Sequence, residues 1–168
     1  MSISLHDASI AVFIRGFANL SAILEKGRAY ADENGIDHAE LLEARLYPDM
    51  APLTGQIQRA SDTARFTAVR VGQVEPVAMP DTEVSFDDLQ ARIAATVDFL
   101  KAVPADAMYG REDAHVELKT PTASIDFTGT SYVLGFAAPN FYFHVTTAYA
   151  LLRMKGVPVG KLDFLGRR

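Results

Sequence analysis

At 168 residues the chain is long enough for one domain with a substantial core, and 49% hydrophobic with 22% charged residues is the balance of a globular protein. A net charge of −5 argues against a nucleic-acid-binding surface, since Arg167 and Arg168 are the one basic cluster and are too few to form one. Cysteine is absent, which excludes disulfides, thiolate catalysis, zinc fingers and iron–sulfur ligation.

The amino-terminal string MSISLHDASIAVFIRGF lacks the basic start and unbroken apolar run of a signal peptide. Elsewhere no apolar run approaches membrane-spanning length, so a soluble, cytoplasmic protein without a membrane partner is expected. From Ser4 to about Tyr30 the spacing predicts one helix, with Ile10, Phe13, Phe17, Leu20, Leu24 and Gly27 on its buried face. Val12, Gly16, Asn19 and Ile23 make a second stripe beside it, which widens that face. Asn34-Gly35 breaks the helix, and Asp37 with Glu40 has capping-box spacing before a short helix, AELLEARL.

The second long helix is predicted over residues 47–72, with Asp49 as its N-cap and Pro52 in its first turn. Met50, Leu53, Ile57, Ala60, Ala64, Ala68 and Val71 share its apolar face, Gln58, Asp62 and Arg65 lie opposite, and Gly72 ends it. A proline-bearing crossover leads to a third helix capped by Ser85 and buried through Phe86, Leu89, Ile93, Val97 and Leu100. The pattern then alternates: Val116, Leu118, Ile125 and Phe127 line one side of a small hairpin turned at TPTA. Pro139 stands where the first turn of the last helix is expected, and Gly156 ends that helix. The expected fold is all-α: residues 1–168 form a single four-helix bundle with a short extra helix, and a small β-hairpin separates the third and last long helices.

The last helix holds the main functional signal. Asn140, His144, Thr147 and Leu151 run along the middle of its apolar face. Buried polar groups need partners or cost about 1–3 kcal/mol each. The candidates to face them are Asp49 and Gln56 on the second helix, and Asn19 on the first. One reading is a hydrogen-bonded core pair that fixes helix packing. Another is a small-molecule pocket floored by Asn140 and His144, with Thr147 beside them and Gln56 and Asp49 opposite. A third is a divalent-metal site on His144, Asn140 and Asp49, although asparagine is a poor ligand for metals that favour imidazole.

Three strings, LYPDMAPLTGQIQRASD (46–62), PNFYFHVTTAYALLR (139–153) and GVPVGKLDFLG (156–166), together with the helix order, resemble the DinB-like (DinB/YfiT-type) bundle superfamily. Within it the chain is most similar to a bacterial family of uncharacterised proteins. The resemblance implies a four-helix bundle, often dimeric. In many members it also implies a metal held by three histidines, one on the second helix and two in an H-x-x-x-H on the last, and the better-understood branches are metal-dependent thiol transferases. Here Asn140 and His144 stand in place of the last-helix pair, Ala148 follows four residues later, and the second helix has no histidine. His6, His38 and His115 read as exposed and unconnected.

Gly160-Lys161 lacks P-loop spacing and follows a helix, so it reads as a turn. Asp62, Glu83, Asp87 and Asp88 read as solvated faces or caps. Tyr132, Tyr142 and Tyr149 read as interface or half-buried tyrosines, with a pocket lining as the alternative. The expectation for function is a homodimeric bundle that binds a small ligand between helices, with no cofactor and no established catalysis. A metal-dependent transferase or hydrolase with a degenerate triad, and a purely structural dimerisation module, are the alternatives.

Overall fold

The single helix expected from Ser4 is two helices in the computed structural model, which describes residues 3–166. Arg167 and Arg168, the basic pair, lie outside the described residues. Helix α1 (Leu5–Ala8) stops because the Ser9 hydroxyl donates to the Leu5 carbonyl at 2.6 Å and the Ser9 backbone leaves the helical region. Helix α2 (Ile10–Asn34) then runs four residues past Tyr30 and ends on Gly35 in the left-handed conformation, φ +62°. The stretch Leu5–Asn34 is long and apolar enough to cross a bilayer by length and composition, with mean hydropathy 1.4 over its best window. That corrects the expectation of no such run: scattered charges hide it from the eye, and burial of Phe13, Phe17, Leu20 and Leu24 gives the apolar face a protein partner.

Asp37 caps α3 (His38–Leu42) by accepting from the Ala39 N–H, and this helix is shorter than expected. Helix α4 (Leu53–Gly72) starts six residues later than predicted. Proline disfavours helix at the residue before it, and Pro48 and Pro52 impose this at Tyr47 and Ala51. Asp49 is therefore an exposed turn residue, not the helix cap; the N-cap is Pro52, which offers no capping side chain. Gly72 is still helical, and Gln73 takes the left-handed conformation that ends α4.

Residues 73–84 form a strap toward α5 (Phe86–Lys101), which is capped by Ser85 accepting from Asp88. Beneath the strap lies the clearest departure from the sequence reading. Arg65 and Arg92 are each only 4% exposed, and Asp62 and Glu83 are their partners, not solvated faces. Arg65 donates to Asp62 and to the Val77 carbonyl, while Arg92 reaches Asp62 at 3.0 Å, Asp81 at 3.0 Å, Glu83 at 2.9 Å and the Pro80 carbonyl at 3.2 Å. Burial alone would raise the Glu83 carboxyl, but hydrogen bonds from Arg92 and Gln58 hold it below its ordinary value. A polar α4 face that looked solvent-bound is thus covered by the crossover.

After a 3-10 turn (Ala105–Met108), strands β1 (His115–Lys119) and β2 (Ser124–Thr128) pair antiparallel with Val116 opposite Phe127 and Leu118 opposite Ile125. The shared face is as predicted, yet Ile125 at the hairpin end is exposed while Val116 and Leu118 are buried. The last helical stretch begins ten residues earlier than expected, as α6 (Gly129–Tyr132), a π turn (Val133–Ala137) and α7 (Ala138–Met154) without a break. Tyr132 is fully buried and its hydroxyl accepts from Arg70, so it is neither interfacial nor half-exposed.

Helices α2, α4, α5 and α7 form the all-α bundle. At its centre Phe141 packs on Phe13 and Phe17 with ring centroids 4.7 and 5.1 Å away. The ring also fills the space above Gly16, where an added Cβ would lie 2.6 Å from Phe141 Cε1. Helix α8 (Lys161–Leu165) docks the tail onto α2, with Asn19 donating to the Phe164 carbonyl at 3.0 Å. Asn19 is thereby committed to the tail and does not face Asn140.

Replacing Arg92 with Met leaves Glu83 and Asp62 without their shared cation and releases the strap. Urea unfolding should show a loss of about 2–3 kcal/mol, less than for a fully enclosed pair because Asp62 and Asp81 reach water. An unchanged midpoint would mean that the cluster does not hold the strap.

Candidate functional site

The polar line of α7 meets α4 through two side-chain hydrogen bonds. His144 Nδ1 lies 2.7 Å from Gln56 Oε1, and Asn140 Nδ2 donates to Thr63 Oγ1 at 2.7 Å. Local bonds settle the orientation of each group. Gln56 Nε2 donates to the Ala51 carbonyl at 2.9 Å, which turns Oε1 toward the imidazole. An amide oxygen only accepts, so Nδ1 bears the hydrogen and Nε2 bears the lone pair. The Thr63 hydroxyl spends its hydrogen on the Arg59 carbonyl at 2.7 Å, so it accepts from Asn140 and leaves Asn140 Oδ1 directed elsewhere.

His144 is 8% exposed, and burial first, then the charge of Arg59, lowers its pKa to about 4. The ring is therefore neutral at physiological pH. Its Nε2 makes no hydrogen bond among the described residues. The buried side-chain nitrogens and oxygens without a partner there are Arg65 Nε and Arg92 Nε, so His144 Nε2 keeps contact with solvent. Asn140 is half-buried and its Oδ1 likewise has no donor among the described residues. Two open acceptors thus stand one helical turn apart on α7, about 5–6 Å by side-chain spacing.

Arg59 lies on α4 between Gln56 and Thr63. Its guanidinium folds back along the helix and donates to the Gly55 carbonyl at 3.1 Å. That path exists because residue 55 has no side chain: an added Cβ would sit 2.7 Å from the Arg59 guanidinium nitrogen. Phe143 is exposed and its ring meets the His144 imidazole edge-on, with centroids 5.3 Å apart.

Of the residues singled out from sequence, the fold joins His144 to Gln56 and places Asn140 one turn away. Thr147 spends its hydroxyl on the Phe143 carbonyl of its own helix, at 2.7 Å. Exposed Asp49 makes no hydrogen bond or ion pair to this group among the described residues. Thr63, Arg59 and Gly55 were missed. The available signal was the spacing Gln56, Arg59, Thr63, which at i, i+3 and i+7 puts three polar side chains along one side of α4.

His38 and His115 pair with nearby Asp32 and Asp126, at 2.8 and 2.7 Å, and His6 lies on α1. Among the described residues no three His, Cys, Asp or Glu side chains gather where they could hold a metal ion. One imidazole nitrogen with one amide oxygen does not fit the three-histidine site that the resemblance implies for the superfamily. What the group offers is a neutral base or acceptor, a second acceptor, a cation and an apolar ring.

A family described as a domain of unknown function, DUF1993, matches residues 5–165. The crystal structure of a DinB family member protein from Shewanella denitrificans is similar over 98% of this chain and 93% of that chain, with 34% identity and a TM-score of 0.89. No curated protein matches the chain.

The depressed His144 pKa makes a signed prediction. The unfolded chain binds a proton near pH 6.5 that the folded ring refuses until about pH 4, so the neutral-ring contribution is complete above pH 6.5 and is lost as pH falls through that window. Stability should drop by about 2 kcal/mol between pH 8 and pH 5 from this group alone. Denaturant titrations of wild type and His144→Gln at both pH values isolate it; equal pH dependence in the two proteins would refute the assignment.

Proposed function

Because the chain belongs to the DUF1993 family, whose domain has no established function, we propose its role from the site itself: it binds a small molecule at the α4–α7 seam, by hydrogen bonds to His144 Nε2 and Asn140 Oδ1. The observation behind this reading is the lone pair of His144. A core histidine that only fixed helix packing would have both nitrogens occupied or sealed, whereas this one is oriented by Gln56 and left open at Nε2. Gln56 is an orienting partner in this reading, and Asn140 is the second contact. Asp49 and Thr147 have no part in it. Binding without catalysis is the economical version, since the open groups of the site, a neutral imidazole and an amide oxygen, are hydrogen-bond acceptors and no side-chain nucleophile is bonded to His144 among the described residues.

The same reading places the protein in a bacterial cytoplasm as a homodimer, supported by its charge of −5, by the Shewanella neighbour and by exposed Tyr142, Phe143 and Met154 along α7. Those side chains are also what a purely structural dimer module would use, and that reading needs no open acceptor.

The test is a fragment screen read by two-dimensional NMR of 15N-labelled histidine side chains. Fragments should shift the His144 Nε2 resonance, and their affinity should fall at least tenfold in His144→Leu. Hits that leave that resonance unmoved would defeat the proposal. Metal content of protein purified without chelator separates the enzyme alternative: near-stoichiometric metal in wild type, lost in His144→Ala, would replace this reading.

A further inference from the structure

We infer that the occupant of this site is a small organic anion with an O–H or N–H donor next to its charged group, the chemistry of a 2-hydroxy or 2-amino carboxylate, and that Arg59, held over Gly55, is its counter-ion. The inference rests on the binding reading above and narrows it. Three groups with unspent hydrogen-bonding capacity lie along the seam: the lone pair of His144 Nε2, Asn140 Oδ1 one turn before it, and the Arg59 guanidinium, whose charge is felt at the His144 ring. Both acceptors face any ligand with electron pairs, so a bare carboxylate or phosphate would meet repulsion there. A ligand of donors alone would leave the guanidinium unanswered, and a cation would be repelled by it. Only a molecule with a negative group and an adjacent donor satisfies both kinds of partner.

The placement of Arg59 is built into the helix. Gly55 lies in the first turn of α4, where the absence of a side chain has local consequences. At residue 55 a Cβ would come within 2.7 Å of the guanidinium that donates to the Gly55 carbonyl, and within 3.1 Å of Ala51 Cβ and 3.3 Å of Pro52 Cδ, so the glycine serves both the tight entry into α4 and the path of Arg59. Arg59 retains free donors after that one bond, since a guanidinium has five N–H groups and a fork geometry suited to carboxylate. Exposed Phe143, edge-on to His144, adds an apolar wall for a ligand side chain.

Three probes that share a phenyl ring separate the elements: mandelate has carboxylate and hydroxyl, phenylacetate lacks the hydroxyl, and benzyl alcohol lacks the carboxylate. Titrations followed on the His144 Nε2 and Arg59 Nε resonances should show mandelate about 5-fold or more tighter than either partial probe, the gain of one satisfied hydrogen bond or ion pair. Arg59→Gln should remove that preference over benzyl alcohol, and Gly55→Ala should do the same while retaining the arginine. Equal affinity for the three probes, or a mandelate preference over benzyl alcohol that survives Arg59→Gln, would overturn the inference while fragment binding at His144 still stood. Absence of any fragment or probe at His144 would remove both. Arg59 is exposed, so its substitution tests recognition without threatening the fold.

Discussion

A helix cannot carry proline through its interior without losing a hydrogen bond and clashing with the carbonyl four residues back. The last helical stretch meets this constraint at Pro139, where the preceding turn widens into π geometry and the Ala138 N–H reaches back five residues to Val133. The placement of the candidate site depends on the result. The π turn sets the rotational phase of α7, and at about 100° per residue a different register would swing Phe141 away from Gly16 and carry Asn140 and His144 off the α4 seam. The widened turn therefore keeps one helix running from the end of the hairpin to Met154 while aiming its aromatic and polar faces separately.

Aromatic packing and polar pairing along α7 divide the work. Phe141 takes the apolar side, locked against Phe13 and Phe17 over a residue without a side chain. Asn140, immediately before Phe141, and His144, three residues after it, are bonded in chains that end on backbone carbonyls: His144 to Gln56 to Ala51, and Asn140 to Thr63 to Arg59. Each chain consumes the inward hydrogen-bonding capacity and leaves one acceptor outward. Such an arrangement stabilises the neutral ring, and it does so only while the imidazole stays unprotonated, which the nearby Arg59 charge favours.

The strap over α4 shows the opposite use of charge. Arg65 and Arg92 are buried deeply enough that their Nε atoms lack partners among the described residues, yet their remaining N–H groups hold the carbonyls of Val77 and Pro80 and the carboxylates of Asp62, Asp81 and Glu83. Desolvating two guanidinium groups is costly, so the cluster contributes little net stability over an apolar substitute. Its effect is positional: a segment with two prolines, Pro76 and Pro80, and no regular structure is kept in one place against α4 and α5.

The sequence by itself determined the all-α class, the four long helices and the hairpin register, because apolar residues at spacings of three and four, or alternating, have one way to be buried together. It also singled out Asn140 and His144, since polar residues in the middle of an apolar stripe must be accounted for wherever the helix packs. Local rules failed where prolines acted on their neighbours, so that Asp49 was misread as a cap and Pro139 as a helix start. They failed again where a distant segment covered a polar face, so that Asp62, Arg65 and Glu83 looked solvated. Which groups meet His144, which of its nitrogens stays open, and that a glycine on another helix seats Arg59 beside it were decided only by the tertiary structure. Those contacts join residues up to 88 positions apart, and hydrogen-bond direction is fixed by what each partner has already given to the backbone around it.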